Sequence, residues 1–258
     1  MIGGVAFALT DVDYRIGAAE ILSGIALEVD YGRVLALVGP NGAGKSSLLG
    51  LLTGDSRPTA GSIELDGRPV HEYSARDLSR RRAVLLQSNQ VAFSFTVREV
   101  VEMGRAPWTG REHGDDETAV REALVRTDVL HLAGRAFSSL SGGERARVSL
   151  ARVLAQDTPI IMLDEPTAAL DLRHQEDVLQ LARELAALGR AVVVVIHDLS
   201  LAAAYADDVA IISEGRLLAC GAPGDVFTEQ RIADVYGIGV RVIDDPDTGR
   251  PVVLPRRS

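Results

Sequence analysis

The chain has 258 residues, with 27 Lys plus Arg against 36 Asp plus Glu and a formal net charge of −9. With 47% hydrophobic and 24% charged residues it has the composition of a soluble globular protein, which excludes disorder over most of its length and argues against broad nucleic-acid binding. Its longest aliphatic run, 191–196, is six residues, far short of the roughly 20 a membrane-spanning helix needs; the N-terminus lacks the basic start and apolar run of a signal peptide, and the single cysteine, Cys220, allows no internal disulfide.

Short β-branched runs alternate with helical stretches, the pattern of an α/β fold. Leu35-Ala36-Leu37-Val38 predicts a buried strand that ends in a Gly-rich turn, followed by a helix over 45–52. Residues 63–67 predict part of an antiparallel strand or hairpin, and helices are expected over 117–127 and 144–155. The stretch 91–156 is nearly free of strand signals and predicts a helical subdomain inserted into the sheet-forming core, taken as 1–90 and 157–240 with a tail at 241–258. Ile160-Ile161-Met162-Leu163 predicts a second buried strand, ending in Asp164-Glu165-Pro166. A helix over 172–188 follows, then a third buried strand over 191–196 ending in His197-Asp198 and a helix over 199–206. Residues 209–218 read as a hairpin turning at Glu214-Gly215, 244–249 as a turn, and 252–254 as a last strand. Cys220 reads as a small hydrophobe at a strand end. In parallel sheets ligands sit at the carboxyl ends of strands, and all three polar endings fall there.

Gly39-Pro40-Asn41-Gly42-Ala43-Gly44-Lys45-Ser46 fits the phosphate-loop pattern G-x-x-x-x-G-K-[ST] in full, between a predicted strand and a predicted helix. Its glycines let backbone N–H groups and the helix N-terminus face phosphates. Lys45 is then expected to neutralise β- and γ-phosphate charge and Ser46, with Ser47 beside it, to bring a hydroxyl to Mg²⁺. A buried strand that ends in two acids is costly unless a cation or ligand is near. Asp164 is therefore expected to hold the Mg²⁺ shell, and Glu165 to polarise an attacking water.

These residues resemble the ATP-binding cassette family, the ATPase subunits of ABC transporters. Leu140-Ser141-Gly142-Gly143-Glu144 is similar to the family's signature motif, with Arg147 downstream. Gln87 resembles the glutamine of its Q-loop, Ala168-Ala169-Leu170-Asp171 its D-loop, His197 its switch histidine and Tyr14 the aromatic that stacks on adenine. An aromatic that fills a strand-edge packing site is the lesser alternative for Tyr14. The resemblance implies a P-loop NTPase (RecA-like) core sheet with an antiparallel β subdomain and an inserted helical subdomain. It also implies ATP and Mg²⁺ as cofactors, Gln87 as a further Mg²⁺ ligand and catalytic residue beside Glu165 and His197, and a head-to-tail homodimer in which Ser141 of one copy closes over the ATP of the other. Departures from the family pattern are Leu86 where Pro is common, Ala168 where the D-loop usually opens with Ser, and Arg145 and Ala146 after Glu144.

Phe95-Thr96-Val97-Arg98-Glu99-Val100-Val101 and Met103-Gly104-Arg105-Ala106-Pro107 are similar to importers of iron–siderophores, haem and cobalamin. Arg80-Arg81-Arg82-Ala83-Val84-Leu85, residues 151–156 and the tail 247–253 narrow the resemblance to haem importer ATPases. That implies a separate permease dimer, an indirect periplasmic or surface substrate-binding protein, a peripheral place on the cytoplasmic face of the inner membrane, and no nucleic acid. Siderophore or cobalamin import, and a soluble ABC ATPase acting on nucleic acid, are the alternatives. A GTP-driven switch would need Asn-Lys-x-Asp, and neither asparagine, Asn41 or Asn89, precedes Lys. Residues 93–107 are expected to form a groove for a cytosolic permease helix; ordinary helix packing, with Phe93 and Phe95 in the core and Arg98 and Arg105 on a solvated face, explains them as well.

Overall fold

The structure is a computed structural model that describes residues 4–86, 95–111 and 113–257. The chain opens with strands β1 (Val5–Ile16), β2 (Ala19–Asp30) and β3 (Val34–Val38), then helix α1 (Lys45–Leu52) and strands β4 (Ala60–Leu65) and β5 (Arg68–Pro69). It continues through α2 (Ala75–Arg81), β6 (Arg82–Leu85), α3 (Val97–Glu102), α4 (Asp116–Arg126), α5 (Gly142–Ala155), β7 (Ile160–Asp164) and α6 (Leu172–Ala187). It closes with β8 (Ala191–Val195), α7 (Leu199–Tyr205), β9 (Asp208–Ser213), β10 (Arg216–Gly221), α8 (Pro223–Val226), α9 (Glu229–Tyr236), β11 (Val240–Asp244) and β12 (Pro251–Pro255). Two compact units result, Met1–Glu72 with Gln180–Ser258, and Tyr73–Leu179.

In the first unit β3 lies between β8 and β9, parallel to both, and β10 pairs antiparallel to β9. Every position of β3 and β8 is buried, as unbroken apolar runs inside a parallel sheet require. The antiparallel sheet has the order β2-β1-β4-β5. On β2 the buried Ile25, Leu27 and Val29 alternate with Ala26 and Glu28, the period of two that gives a strand one buried face. These two long opening strands had no counterpart in the sequence reading. β11 and β12 form a separate hairpin.

In the second unit β6 and β7 pair in parallel, and β7 is buried at all five positions. Between them the described residues form helices and one isolated bridge, Thr96 to Ala136. Gly104 packs so closely on α5 that a Cβ would lie 2.3 Å from the Arg152 carbonyl oxygen. The adjacent Arg105 is only 5% exposed. Its guanidinium donates to Asp116 Oδ1 at 2.7 Å, to the Ala155 carbonyl at 2.9 Å and to the His113 carbonyl, so a buried charge is fully engaged. This corrects the reading of Arg105 as part of a solvated face.

Two further expectations are corrected. Helix α5 begins at Gly142 rather than Glu144, because Ser141 caps it. Cys220 lies at the end of β10, as expected, but is exposed rather than packed as a hydrophobe. Among the described residues no helix is long and apolar enough to cross a membrane.

Candidate functional site

The phosphate loop leaves the buried end of β3 in a conformation only glycine tolerates. Gly39 has φ +148°, and a Cβ there would sit 1.9 Å from the Ile212 carbonyl oxygen of β9. At the other end Gly44, with φ +104°, precedes α1, and a Cβ would sit 2.6 Å from Leu22 Cδ2 on β2. The loop is closed by the Ala43 N–H donating to the Pro40 carbonyl at 3.2 Å, and fastened by the Gly215 N–H donating to the Ala43 carbonyl at 3.1 Å. Lys45 is 6% exposed, and its Nζ donates to the Gly39 and Pro40 carbonyls at 2.7 and 2.9 Å. The ammonium therefore lies over the loop's own backbone. Asn41, Gly42 and Ser46 are exposed, Pro40, Gly44 and Ser47 half-buried, and Ala43 buried. Among the described residues no side chain caps α1, so its first-turn N–H groups are directed to whatever occupies the loop.

Tyr14 lies opposite Leu22 in the β1–β2 register, beside the residue that touches Gly44. It is half-buried and its hydroxyl donates to Ser56 Oγ at 3.3 Å. On the other flank Leu37 pairs with Val195, and the Ile196 N–H donates to the Leu37 carbonyl at 3.1 Å. Exposed His197 thus leaves β8 at the same sheet edge where β3 turns into the loop. Asp198 caps α7, accepting from the Ser200 and Leu201 N–H groups at 2.8 and 3.0 Å. Tyr14, the loop and His197 gather within the first unit.

The second unit carries the acids and the signature segment. Asp164, the last residue of β7, is 8% exposed. Glu165 follows with φ +50°, a left-handed conformation unusual for a residue with a side chain and worth about 1–2 kcal/mol of strain. Leu85 pairs with Leu163, so the chain leaves β6 and β7 at one edge; Gln87, two residues past Leu85, lies outside the described residues. Asp164 and Glu165 line a cavity of about 240 Å³ together with Gly142, Arg145 and Ser149 of α5 and Ala168. It has room for several waters beside the carboxylates.

At the start of α5, Ser141 and Glu144 form a reciprocal capping box. The Ser141 N–H donates to Glu144 Oε2 at 2.7 Å, and the Glu144 N–H to Ser141 Oγ at 3.3 Å. The Ser141 N–H and hydroxyl, then Arg135 and Arg147, hold the Glu144 carboxyl below the ordinary carboxylate range. Asp171 does a similar job for α6, accepting from the His174 N–H at 3.0 Å beside the His174 ring at 2.6 Å. Those bonds hold its carboxyl low as well. Glu144 therefore shapes the backbone around Ser141, Gly142 and Gly143, and Asp171 the first turn of α6.

The described residues hold no cluster of three or more His, Cys, Asp or Glu able to cage a metal. The buried Asp164 carboxylate and the exposed Ser46 hydroxyl are each a donor type suited to Mg²⁺, which takes few protein ligands and fills its shell with phosphate oxygens and water. The sequence reading missed Ser200 on α7, Arg250, which bonds the end of α7, and Tyr236 beside Gly39; single polar residues on short elements leave no periodic signal.

The ABC transporter family model matches residues 22–168. The hemin import ATP-binding protein HmuV of Streptomyces coelicolor is 56% identical over 257 residues, spanning 99% of this chain and 92% of that protein. A solved metal-chelate type ABC transporter in an inward-facing conformation has a TM-score of 0.83 at 27% identity, covering 100% of this chain and 98% of that one. The ATP-binding cassette MJ0796, solved as a dimer in a post-hydrolysis state with ADP and Pi, has a TM-score of 0.75 at 27% identity, covering 84% of this chain and 98% of that one.

Proposed function

Because the chain belongs to the ABC transporter family, and is an ATP-binding, ATP-hydrolysing transport subunit, we propose that it powers hemin import through a separate membrane permease. The observation that carries the choice of hemin is the near-full-length identity of 56% to a hemin import ATP-binding protein.

Each residue has a task in this reading. Lys45 exchanges the Gly39 and Pro40 carbonyls for the β- and γ-phosphates, while the first-turn N–H groups of α1 meet the remaining phosphate oxygens. Tyr14 stacks on the adenine. Ser46, Asp164 and Gln87 would hold Mg²⁺. When bound, Mg²⁺ supplies Lewis-acid neutralisation of phosphate charge. Glu165 takes a proton from the attacking water, and the 240 Å³ cavity beside it has room for that water. His197 donates to the γ-phosphate, and Gln87 links hydrolysis to the permease-facing segment 93–107.

A second copy completes the site. Ser141, Gly142, Gly143 and the start of α5 offer a second anion site, held open by the Glu144 cap. That arrangement asks for a head-to-tail homodimer with the D-loop and its Asp171 between copies. ATP binds the closed pair better than ADP does, and this difference in affinity drives the cycle. The permease is a dimer, a periplasmic or surface binding protein delivers hemin, and this chain sits peripherally on the cytoplasmic membrane face. The core over 1–90 and 157–240, the helical subdomain over 91–156 and the tail over 241–258 divide these tasks. A net charge of −9 gives no support to a nucleic-acid partner.

The test is ATPase activity in liposomes containing this chain, its co-purifying permease and the binding protein. Hemin, a ferric siderophore and cobalamin are compared at equal concentration. Stimulation by hemin alone is expected; stimulation by either other ligand instead would overturn the hemin assignment and leave the ATPase in place.

A further inference from the structure

Helix α7 starts two residues after His197, has only seven residues and is marginal without outside support. It buries Ala202 and Ala203 and packs against β3 and α8, and the far end of the chain adds its own support. Arg250 Nη1 donates to the Ala203 and Ala206 carbonyls at 2.9 Å each, at the C-terminal end of α7, where a cation also suits the negative end of the helix dipole. In the first turn of α7, Ser200 Oγ accepts from the Val253 N–H at 3.1 Å and donates to the Val253 carbonyl at 3.4 Å. The β11–β12 hairpin that carries these groups keeps register over five pairs, and Asp245 closes its turn by accepting from the Asp247 and Thr248 N–H groups.

The hairpin is anchored in turn. Glu229 of α9 accepts from the Val242 N–H at 3.2 Å and pairs with Arg256 at 2.8 Å. The last residue of α9, Tyr236, has a buried hydroxyl that completes no hydrogen bond among the described residues and lies against the Gly39 amide; burial pushes that phenol up to about 12. The segment 223–257 therefore reaches the phosphate loop at one end and the helix after His197 at the other.

We infer that this C-terminal segment is a clamp on the two elements that meet the γ-phosphate, with Arg250 and Ser200 as positioning residues that set His197 through α7. The inference rests on the proposed role of His197. A loosened α7 leaves phosphate-loop binding intact and misplaces the imidazole, and about 1 Å of misplacement costs on the order of 100-fold in rate.

The experiment measures Mg·ATP hydrolysis and thermal melting of the full chain. Arg250→Ala is expected to lower kcat about tenfold with KM for ATP within about twofold, the sign of an interaction that matters in the transition state rather than in binding. Arg250→Lys, which keeps a donor at the helix end, restores most of the loss. Arg33→Ala removes a bond to Asp208 at the opposite end of β3 and serves as the stability control, with kcat unchanged. Should Arg250→Ala not fold, Ser200→Ala carries the same prediction at about threefold. A folded Arg250→Ala with normal kcat, or an equal loss in Arg33→Ala, overturns the clamp. His197→Ala separates the two levels. If it hydrolyses normally, the switch reading falls; if it is inactive while Arg250→Ala is normal, only the clamp falls.

Discussion

Replacing Gly39 with Ala puts a methyl group where the fold leaves no space. The added Cβ would lie 1.9 Å from the Ile212 carbonyl oxygen, while real Cβ contacts stay beyond 3.0 Å, so the end of β3 or of β9 must move by at least about 1.1 Å. Neither end is free to yield, because Val38 pairs with Ile211 in a buried parallel ladder. Overpacking of this kind costs roughly 1–3 kcal/mol, and the φ of +148° adds roughly 1–3 kcal/mol of backbone strain for a residue with a side chain. The sum, about 2–6 kcal/mol, lowers the melting temperature by roughly 4–24 °C for a chain of this size. Since the displaced backbone also carries the carbonyl that holds Lys45, ATP affinity falls with it. Gly42→Ala is the contrast, because its Cβ would meet nothing within 4 Å and only its φ of +79° is unfavourable. Thermal melting and ATP titration of both variants provide the assay. If Gly39→Ala melts within about 2 °C of the parent and binds ATP equally well, the steric reasoning about the loop is wrong.

Two further perturbations probe the second unit. Arg105→Ala leaves the Ala155 and His113 carbonyls without their buried donor, which costs about 1–3 kcal/mol for each acceptor and lowers the melting temperature by roughly 4–24 °C; a shift below about 3 °C would show that Arg105 carries no such burden. Glu144, whose folded-state pKa lies below its ordinary 4.5, stabilises the fold above that pH and ceases to do so as pH falls through its lowered value. Glu144→Gln therefore flattens the acid side of the stability profile below pH 4.5, and an unchanged acid slope on chemical denaturation would reject the capping-box account.

The parts of the site that carry phosphate chemistry were legible because sequence and backbone constrain each other there. Gly39 and Gly44 occupy conformations and close contacts closed to other residues, and β3, β7 and β8 are buried at every position, so their apolar runs had one reading. The start of α5 was missed by two residues because glycines are poor helix formers; the Ser141-x-x-Glu144 spacing, which signals a capping box, was the available clue. β1 and β2 were missed because their alternation is interrupted by polar residues and register shifts near Val12 and Tyr14. Arg105 read as a surface charge because its partners come from segments up to 50 residues away. The same holds for Ser200 and Arg250, 53 and 47 residues from the groups they bind, since contacts over such distances leave no local pattern.

The central claim is that this chain turns over ATP with its own strand-end carboxylate. Glu165→Gln tests it most directly, since the amide keeps the size of the side chain and loses the base. Base catalysis of this kind contributes roughly 10²–10⁴-fold. The variant is predicted to bind Mg·ATP with parental affinity, to accumulate as an ATP-bound dimer, and to hydrolyse at least about 100-fold more slowly. Parental turnover in a variant that still binds ATP would contradict the assignment of Glu165 and the mechanism built on it.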